Sequence, residues 1–229
     1  MNSEQIVNQP SINKIIIDLT PKLVFPTPEE RDLKLGQLQE AAVLSMELHS
    51  TQTRKDAEPY INHIVRVTKR LTEEYGVTDA DTIMAALLHD SVEDQSAGLA
   101  AKAGLPESRA NALSYVAQRF GNRVSFLVEN LSNEEIVGEM SDDEWNRIYA
   151  QHVRDIIEKD PDLLFIKLSD FSDNALRLSE VTDLNQRLKL SKKYLPTMQV
   201  FLDKIEGPNP FSGEVRVLVS KKLKTAISE

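Results

Sequence analysis

The segment that most constrains this chain is the apolar run from Ile83 to Leu88, which is preceded by capping residues and followed directly by a histidine. Thr78 and Asp79 can accept hydrogen bonds from the first turn of a helix, so the sequence predicts a helix from 80 to about 92. Its apolar side chains point in nearly every direction, which is typical of a helix surrounded by others. We therefore expect this helix to be central to the fold.

Hydrophobic periodicity predicts further helices on both sides of the central one. Their expected ranges are 28–50, 59–75, 106–119, 122–131, 143–159, 161–180 and 183–205. The alternating pattern at 214–220 predicts a strand, which we expect to pair with Ile15–Ile17. The predicted fold is therefore all-α, with this short terminal β-pairing. We expect an N-terminal extension at 1–27, one domain at 28–206 and a C-terminal extension at 207–229.

Composition excludes several functional classes. The chain has 229 residues, no cysteine and a net charge of −9. Without cysteine there is no disulfide, zinc–thiolate site or cysteine nucleophile, so any metal must be bound by His and carboxylate groups. The acidic balance argues against nucleic acid as a partner. No signal peptide or membrane helix is recognisable, so we expect a cytoplasmic protein. The oligomeric state cannot be read from the sequence.

Two adjacent ionisable residues, His89 and Asp90, follow the central apolar run. Burying such groups without a compensating partner is costly, and a metal ion would account for both of them. Glu93 and Asp94 come four residues after His89 and Asp90, and a continued helix would place each acid on the same face as its partner. Their other interpretation is an acidic, solvated helix end.

A third acidic position, Asp170, follows the apolar run Leu163–Ile166 on a predicted helix. Helical spacing places Asp170 near Asn174 and Arg177. Asp170 gains meaning only as a further member of a set with His89 and Asp90.

These residues lie in motifs that resemble a known family. The motifs are YINH at 60–63, AALLHDSVED at 85–94, and IKLSD at 166–170 with Asn174, joined by RKDAEPY at 54–60 and QRFGNRV at 118–124. Together they resemble the HD-domain hydrolases of RelA/SpoT homologues, especially the stand-alone small alarmone hydrolases. The likeness extends from about residue 40 to about residue 200.

The resemblance implies an HD-domain helical bundle that binds one Mn²⁺ ion. It implies a small nucleotide substrate, guanosine tetra- or pentaphosphate, whose 3′-pyrophosphate is removed by hydrolysis. The matching metal ligands are His63, His89, Asp90 and Asp170. The matching catalytic pair is Glu93 and Asp94, and the matching substrate contacts are Arg54, Lys55 and Asn174.

The chain departs from the family pattern at several positions. Ala57 stands where the family usually has Gly, and Gln95 replaces a Thr after the acidic pair. Phe171 replaces a basic residue after the last metal Asp, and Asp173 precedes Asn174. An acidic Asp173 near a polyphosphate would weaken its binding. The departures therefore concern the choice of nucleotide and not the metal ligands.

Three alternatives remain open from the sequence. An HD phosphohydrolase could act on another nucleotide or on an NADPH-like phosphate ester. An HD-like module could bind a nucleotide without hydrolysing it. A purely structural helical protein would leave the four ligand positions unrelated to one another.

Overall fold

The computed structural model describes residue 16 and residues 20–54, 57–132, 140–175, 181 and 183–228. In this part of the chain a 3-10 turn at Thr20–Lys22 precedes eleven α-helices. In chain order they are α1 (Pro28–Leu48), α2 (Ile61–Glu73), α3 (Ala80–Leu88), α4 (Ser91–Asp94), α5 (Ser96–Lys102), α6 (Arg109–Phe120), α7 (Asn122–Leu131), α8 (Asp142–Lys159), α9 (Pro161–Ala175), α10 (Leu184–Glu206) and α11 (Gly213–Ser228). Within the described ranges the only β-type pairing is an isolated bridge between Thr53 and Pro59. None of the helices described is long and apolar enough to cross a membrane. The predicted all-α class is confirmed.

The chain divides into two compact units, Met1–Asn133 and Glu134–Glu229. In the first unit α3 packs against α1, α2 and α7. Five apolar residues of α3 have no exposed surface: Ile83, Met84, Ala85, Ala86 and Leu88. The apolar run is therefore the centre of the first unit, as its all-round hydrophobicity predicts.

The central helix is capped as predicted but is shorter. The Asp79 carboxylate accepts hydrogen bonds from both the backbone N–H and the hydroxyl of Thr82, each at 2.8 Å. The helix ends at Leu88 instead of 92, because Asp90 adopts φ −96° and ψ −4°, where ψ is far from its helical value. The chain therefore turns at His89 and Asp90 before the short helix α4 begins.

One helix of the first unit, α5, was not predicted. Its sequence is small and glycine-containing, so its periodicity is weak. A Cβ atom at Gly98 would lie 2.8 Å from Leu48 Cδ2, so glycine permits the close approach of α5 to the end of α1. The next helix begins at Arg109 and not at 106, because the Ser108 hydroxyl caps it by accepting from the Asn111 N–H at 3.1 Å.

In the second unit α10 packs against α8, α9 and α11. The predicted strand at 214–220 is wrong, since these residues lie in the helix α11. Val219 and Leu223 are buried four residues apart, which is helical spacing, whereas Val217 is 69% exposed. The alternation of valines was therefore misleading. The expected partner, Ile15–Ile17, lies outside the described residues apart from Ile16.

A substitution in the central helix tests its role in the first unit. We expect Leu88→Ala to lower the free energy of unfolding by about 2–5 kcal/mol, because it leaves a cavity in a fully packed site. Leu33→Ala is the matched control, since Leu33 is 61% exposed, and we expect a change within about 0.5 kcal/mol. Urea unfolding followed by circular dichroism measures both. Equal effects would show that α3 is not central to stability.

Candidate metal centre

Three predicted ligands meet in the first unit. His63 lies on the first turn of α2, and His89 and Asp90 form the turn after α3. Their candidate ligand atoms all lie within 4.8 Å of one another, and among the described residues they form the only such group. The Oδ2 atom of Asp90 lies 3.0 Å from His89 Nε2 and 3.7 Å from His63 Nε2. The two imidazoles are only 1% and 2% exposed.

Neighbouring groups orient these ligands. His89 Nδ1 lies 2.8 Å from the Ala86 carbonyl oxygen, which can only accept, so we assign the proton to Nδ1. Nε2, the nitrogen left for a metal ion or for a second proton, then faces Asp90. The Tyr60 hydroxyl donates to Asp90 Oδ2 at 2.5 Å. Such contacts behind the ligands fix the tautomer and direction of the groups that bind a metal.

Electrostatics keep the Asp90 carboxylate ionised. Burial by itself raises its pKa, but His89 and His63 act against burial through charge and hydrogen bonding and bring the pKa well below its usual range. Two imidazole nitrogens and one ionised carboxylate are a donor set that suits a borderline or hard divalent cation. The chemistry of these three residues therefore fits the predicted metal.

The acidic pair lies on α4, immediately after the turn that carries His89 and Asp90. Glu93 and Asp94 are both exposed. The Asp94 backbone N–H donates to the Asp90 carbonyl at 2.9 Å, so a helical turn links the two aspartates. Asp94 Oδ2 also accepts a hydrogen bond from Gln52 Nε2 at 2.7 Å. The pair therefore lies one turn from the candidate ligands, although α3 and α4 are separate helices.

The loop between α1 and α2 carries the predicted substrate contacts. Arg54 is half-buried, and its backbone N–H donates to the Glu58 carbonyl at 2.8 Å. The Glu58 carboxylate in turn binds both terminal guanidinium nitrogens of Arg66 on α2, at 2.6 and 2.9 Å. Ala57, where the family usually has Gly, has a φ of +65°. Lys55 lies outside the described residues.

The remaining predicted site residues, Asp170 and Asn174, belong to the second unit. Asp170 is 8% exposed on α9, and its Oδ1 accepts from Asn174 Nδ2 at 2.9 Å. Its Oδ2 lies 3.5 Å from the buried ammonium group of Lys167. Asp170 is therefore an oriented, charge-paired carboxylate within its own unit. Its assignment as a fourth metal ligand stays a prediction.

The departures around Asp170 have structural explanations in part. Phe171 is buried and packs against the rings of Tyr194 and Phe201, with centroids 5.6 and 5.1 Å away. An aromatic core contact of the second unit therefore occupies the position where the family has a basic residue. Asp173 is also buried, with 1% exposure.

Comparison with known proteins places the chain in a family. A family model described as an HD domain matches residues 41–201. The chain belongs to the HD domain family. It is 34% identical over 153 residues to the guanosine-3′,5′-bis(diphosphate) 3′-pyrophosphohydrolase MESH1 of Mus musculus, covering 66% of this chain and 71% of that protein. It is 32% identical over 168 residues to the enzyme of the same activity name from Aquifex aeolicus, covering 72% of this chain but 20% of that protein.

A solved structure supports the fold of this HD domain protein. The structure is that of a metazoan orthologue of SpoT that hydrolyses ppGpp, with a TM-score of 0.62 and 22% identity. The match covers 90% of this chain and 97% of the other. The predicted HD-domain bundle and the resemblance to RelA/SpoT-type hydrolases are thus confirmed.

Several residues around the HD site were missed as functional candidates. His49, Gln52 and Gln95 form a hydrogen-bonded cluster, and the ring of His49 stacks on that of Tyr60 with centroids 5.1 Å apart. Gln52 lies in a short polar loop without periodicity, so no local pattern marks it. Tyr60 was marked only by its place in two motifs, at the end of RKDAEPY and at the start of YINH.

Removal of one imidazole tests the metal centre. We expect His89→Ala to weaken Mn²⁺ binding by at least about 100-fold, because loss of a group that only hydrogen-bonds to a ligand already costs about 10- to 100-fold. His152→Ala is the control, since His152 lies outside the three-residue group. Calorimetric titration and metal content of the purified proteins measure the effect. Unchanged binding in His89→Ala would favour a purely structural role for these residues.

The lowered pKa of His49 leads us to expect that stability depends on pH. Burial lowers the pKa of His49 below its ordinary value, despite the hydrogen bond to Gln52 that opposes this. As the pH falls from about 7 to about 5, the unfolded chain binds a proton at this residue before the folded chain does, so stability is lost. We expect His49→Gln to lose less stability over this range than the wild type, as measured by urea unfolding at each pH. Parallel losses would contradict the assignment.

Proposed function

We propose that this protein is a metal-dependent hydrolase that removes the 3′-pyrophosphate from guanosine tetra- or pentaphosphate. The observation that carries the proposal is the group of buried His63 and His89 with half-buried Asp90, with an acidic pair one turn further on. The printed activity of relatives from Mus musculus and Aquifex aeolicus, guanosine-3′,5′-bis(diphosphate) 3′-pyrophosphohydrolase, gives the substrate. Together they support hydrolysis and not nucleotide binding alone.

The proposed metal is Mn²⁺, bound by His63, His89 and Asp90, with Asp170 as the fourth ligand. When bound, such an ion neutralises charge on the phosphoryl group and makes water a stronger nucleophile. Imidazole and carboxylate donors suit Mn²⁺ when coordination positions remain for water and substrate. Asp170 is supported by its place in the IKLSD motif and by the Asn174 amide that orients its carboxylate.

The acidic pair on α4 is proposed to handle protons. A carboxylate can accept a proton from the attacking water when it lies within hydrogen-bond reach of it. The Asp94 carboxylate is oriented by Gln52, which donates to one of its oxygens. Glu93 occupies the preceding position on the same short helix.

Three further residues are proposed to bind the substrate. Arg54 and Lys55 would pair with its phosphates, and Arg can bind two phosphate oxygens at once. The loop of Arg54 is tied to α2 by the ion pair of Glu58 with Arg66, which supports a fixed starting point for the guanidinium group. Asn174 would donate to the ribose or its phosphate.

A second substrate within the same class is favoured by one observation. Phe171 lies in the core of the second unit, at a position where the family carries a basic residue. A site with one cation fewer binds a less highly phosphorylated nucleotide relatively better. The alternative is therefore an HD phosphohydrolase that acts on another nucleotide or on an NADPH-like phosphate ester.

A direct assay tests the proposed function. We expect Mn²⁺-loaded protein to release pyrophosphate from guanosine tetraphosphate, and Glu93→Ala to reduce kcat by at least about 100-fold with Mn²⁺ content unchanged. Glu73→Ala is the control, because Glu73 is an exposed glutamate on α2. A panel of 5′-nucleotides and NADPH is assayed in parallel. Release of phosphate only from a panel member would replace the alarmone with that nucleotide.

A further inference from the structure

A buried histidine outside the candidate metal ligands anchors a polar cluster in the first unit. His49 is 1% exposed, and its Nδ1 lies 2.6 Å from Gln52 Oε1. An amide oxygen can only accept, so Nδ1 carries the proton and donates it. The ring also stacks on Tyr60, and the Tyr60 N–H donates to the Gln52 carbonyl at 2.9 Å. The backbone and the side chain of Gln52 are therefore both held in place.

These contacts determine which way the Gln52 amide faces. Its Oε1 accepts from His49 Nδ1 and also from Gln95 Nε2, at 3.1 Å. Its Nε2 consequently faces the other way and donates to Asp94 Oδ2 at 2.7 Å. A flipped amide would leave two donors facing the Gln52 nitrogen and two oxygens facing each other, so the cluster permits a single orientation.

We propose that Gln52 is a positioning residue that holds the Asp94 carboxylate in its reactive orientation. The inference rests on the proposed function, in which Asp94 handles protons. Asp94 is exposed, and an exposed carboxylate samples several rotamers unless a hydrogen bond selects one. The hydrogen bond from the Gln52 amide to this carboxylate is charge-assisted, and such bonds are among the stronger ones in proteins.

The polar cluster around His49 also contacts the candidate metal centre. His49 stacks on Tyr60, whose hydroxyl donates to Asp90, and it donates to Gln52, whose amide donates to Asp94. One buried imidazole therefore supports two residues that each hold a carboxylate. This arrangement keeps the candidate ligand and the candidate proton acceptor in a fixed relation within the first unit.

The test is the variant Gln52→Met, which replaces the amide with a side chain of similar length that cannot donate a hydrogen bond. Gln52→Glu is the second variant, since it keeps an acceptor for His49 and Gln95 and replaces the donor to Asp94 with a carboxylate oxygen that repels it. Gln151→Met is the matched control, because Gln151 donates to Asp155 at 2.8 Å on the exposed face of α8. Steady-state kinetics are measured with Mn²⁺ and the substrate that the nucleotide panel establishes. Crystal structures of wild type and Gln52→Met give the position of the Asp94 carboxylate.

We expect Gln52→Met to lower kcat by about tenfold, the loss expected for one hydrogen bond to a charged group. KM and Mn²⁺ affinity should change less than about threefold, and Gln151→Met should match the wild type. In an Asp94→Asn background the Gln52→Met change should have no further effect, because the two residues act through one interaction. Asp94 should leave its wild-type rotamer or divide between two in the crystal of Gln52→Met.

Two results would overturn the inference. One is an unchanged Asp94 position in Gln52→Met, which decides the matter even if no nucleotide is hydrolysed. The other is an unchanged kcat in both Gln52 variants while Asp94→Asn is inactive. Failure of the proposed function looks different, since the wild-type protein with Mn²⁺ would then leave guanosine tetraphosphate intact.

Discussion

The cost of burying the imidazoles of His63 and His89 beside the half-buried carboxylate of Asp90 is the constraint on which the first unit depends. His63 and His89 are almost wholly buried, and Asp90 beside them is ionised. Groups of this kind are not retained in a protein interior without partners that compensate for lost hydration. Hydrogen bonds from Tyr60 and to the Ala86 carbonyl supply part of that compensation, and a divalent cation would supply the rest.

A packed helix and a hydrogen-bonded loop position these groups in different ways. The packed helix α3 delivers His89 and Asp90 to one place, because its apolar side chains leave it little freedom to rotate. The loop between α1 and α2 then adjusts the carboxylates individually through Tyr60 and Gln52. Packing therefore sets the location of the site, and hydrogen bonds set the direction of its oxygens.

Local periodicity predicted the fold class, and the adjacent pair His89 and Asp90 pointed to a metal. The family and the assignment of His63 came from the resemblance of several motifs, which periodicity alone does not reveal. The pattern failed at 214–220, where valines alternate but the side chains that pack, Val219 and Leu223, are spaced as in a helix. It also missed α5, whose packing depends on the absence of a side chain at Gly98.

The role of Gln52 could not be predicted, since its partners, apart from His49, lie far away in the sequence. Gln52 meets Asp94 and Gln95 only after α2 and α3 have folded. The HD motif, in contrast, places His89 and Asp90 side by side in the chain itself. Contacts that tertiary structure creates leave no periodic signal, and they are the ones that the structure adds.

Ala57, in the loop between α1 and α2, adopts a backbone conformation that favours glycine. Its φ of +65° is a conformation that glycine adopts freely and that costs alanine about 1–2 kcal/mol. The turn is maintained nonetheless, because the Ala57 N–H donates to the Arg54 carbonyl at 3.0 Å, and the Arg54 N–H donates to Glu58 at 2.8 Å. Glycine at this position would therefore relieve the backbone strain, whereas a β-branched residue would add to it.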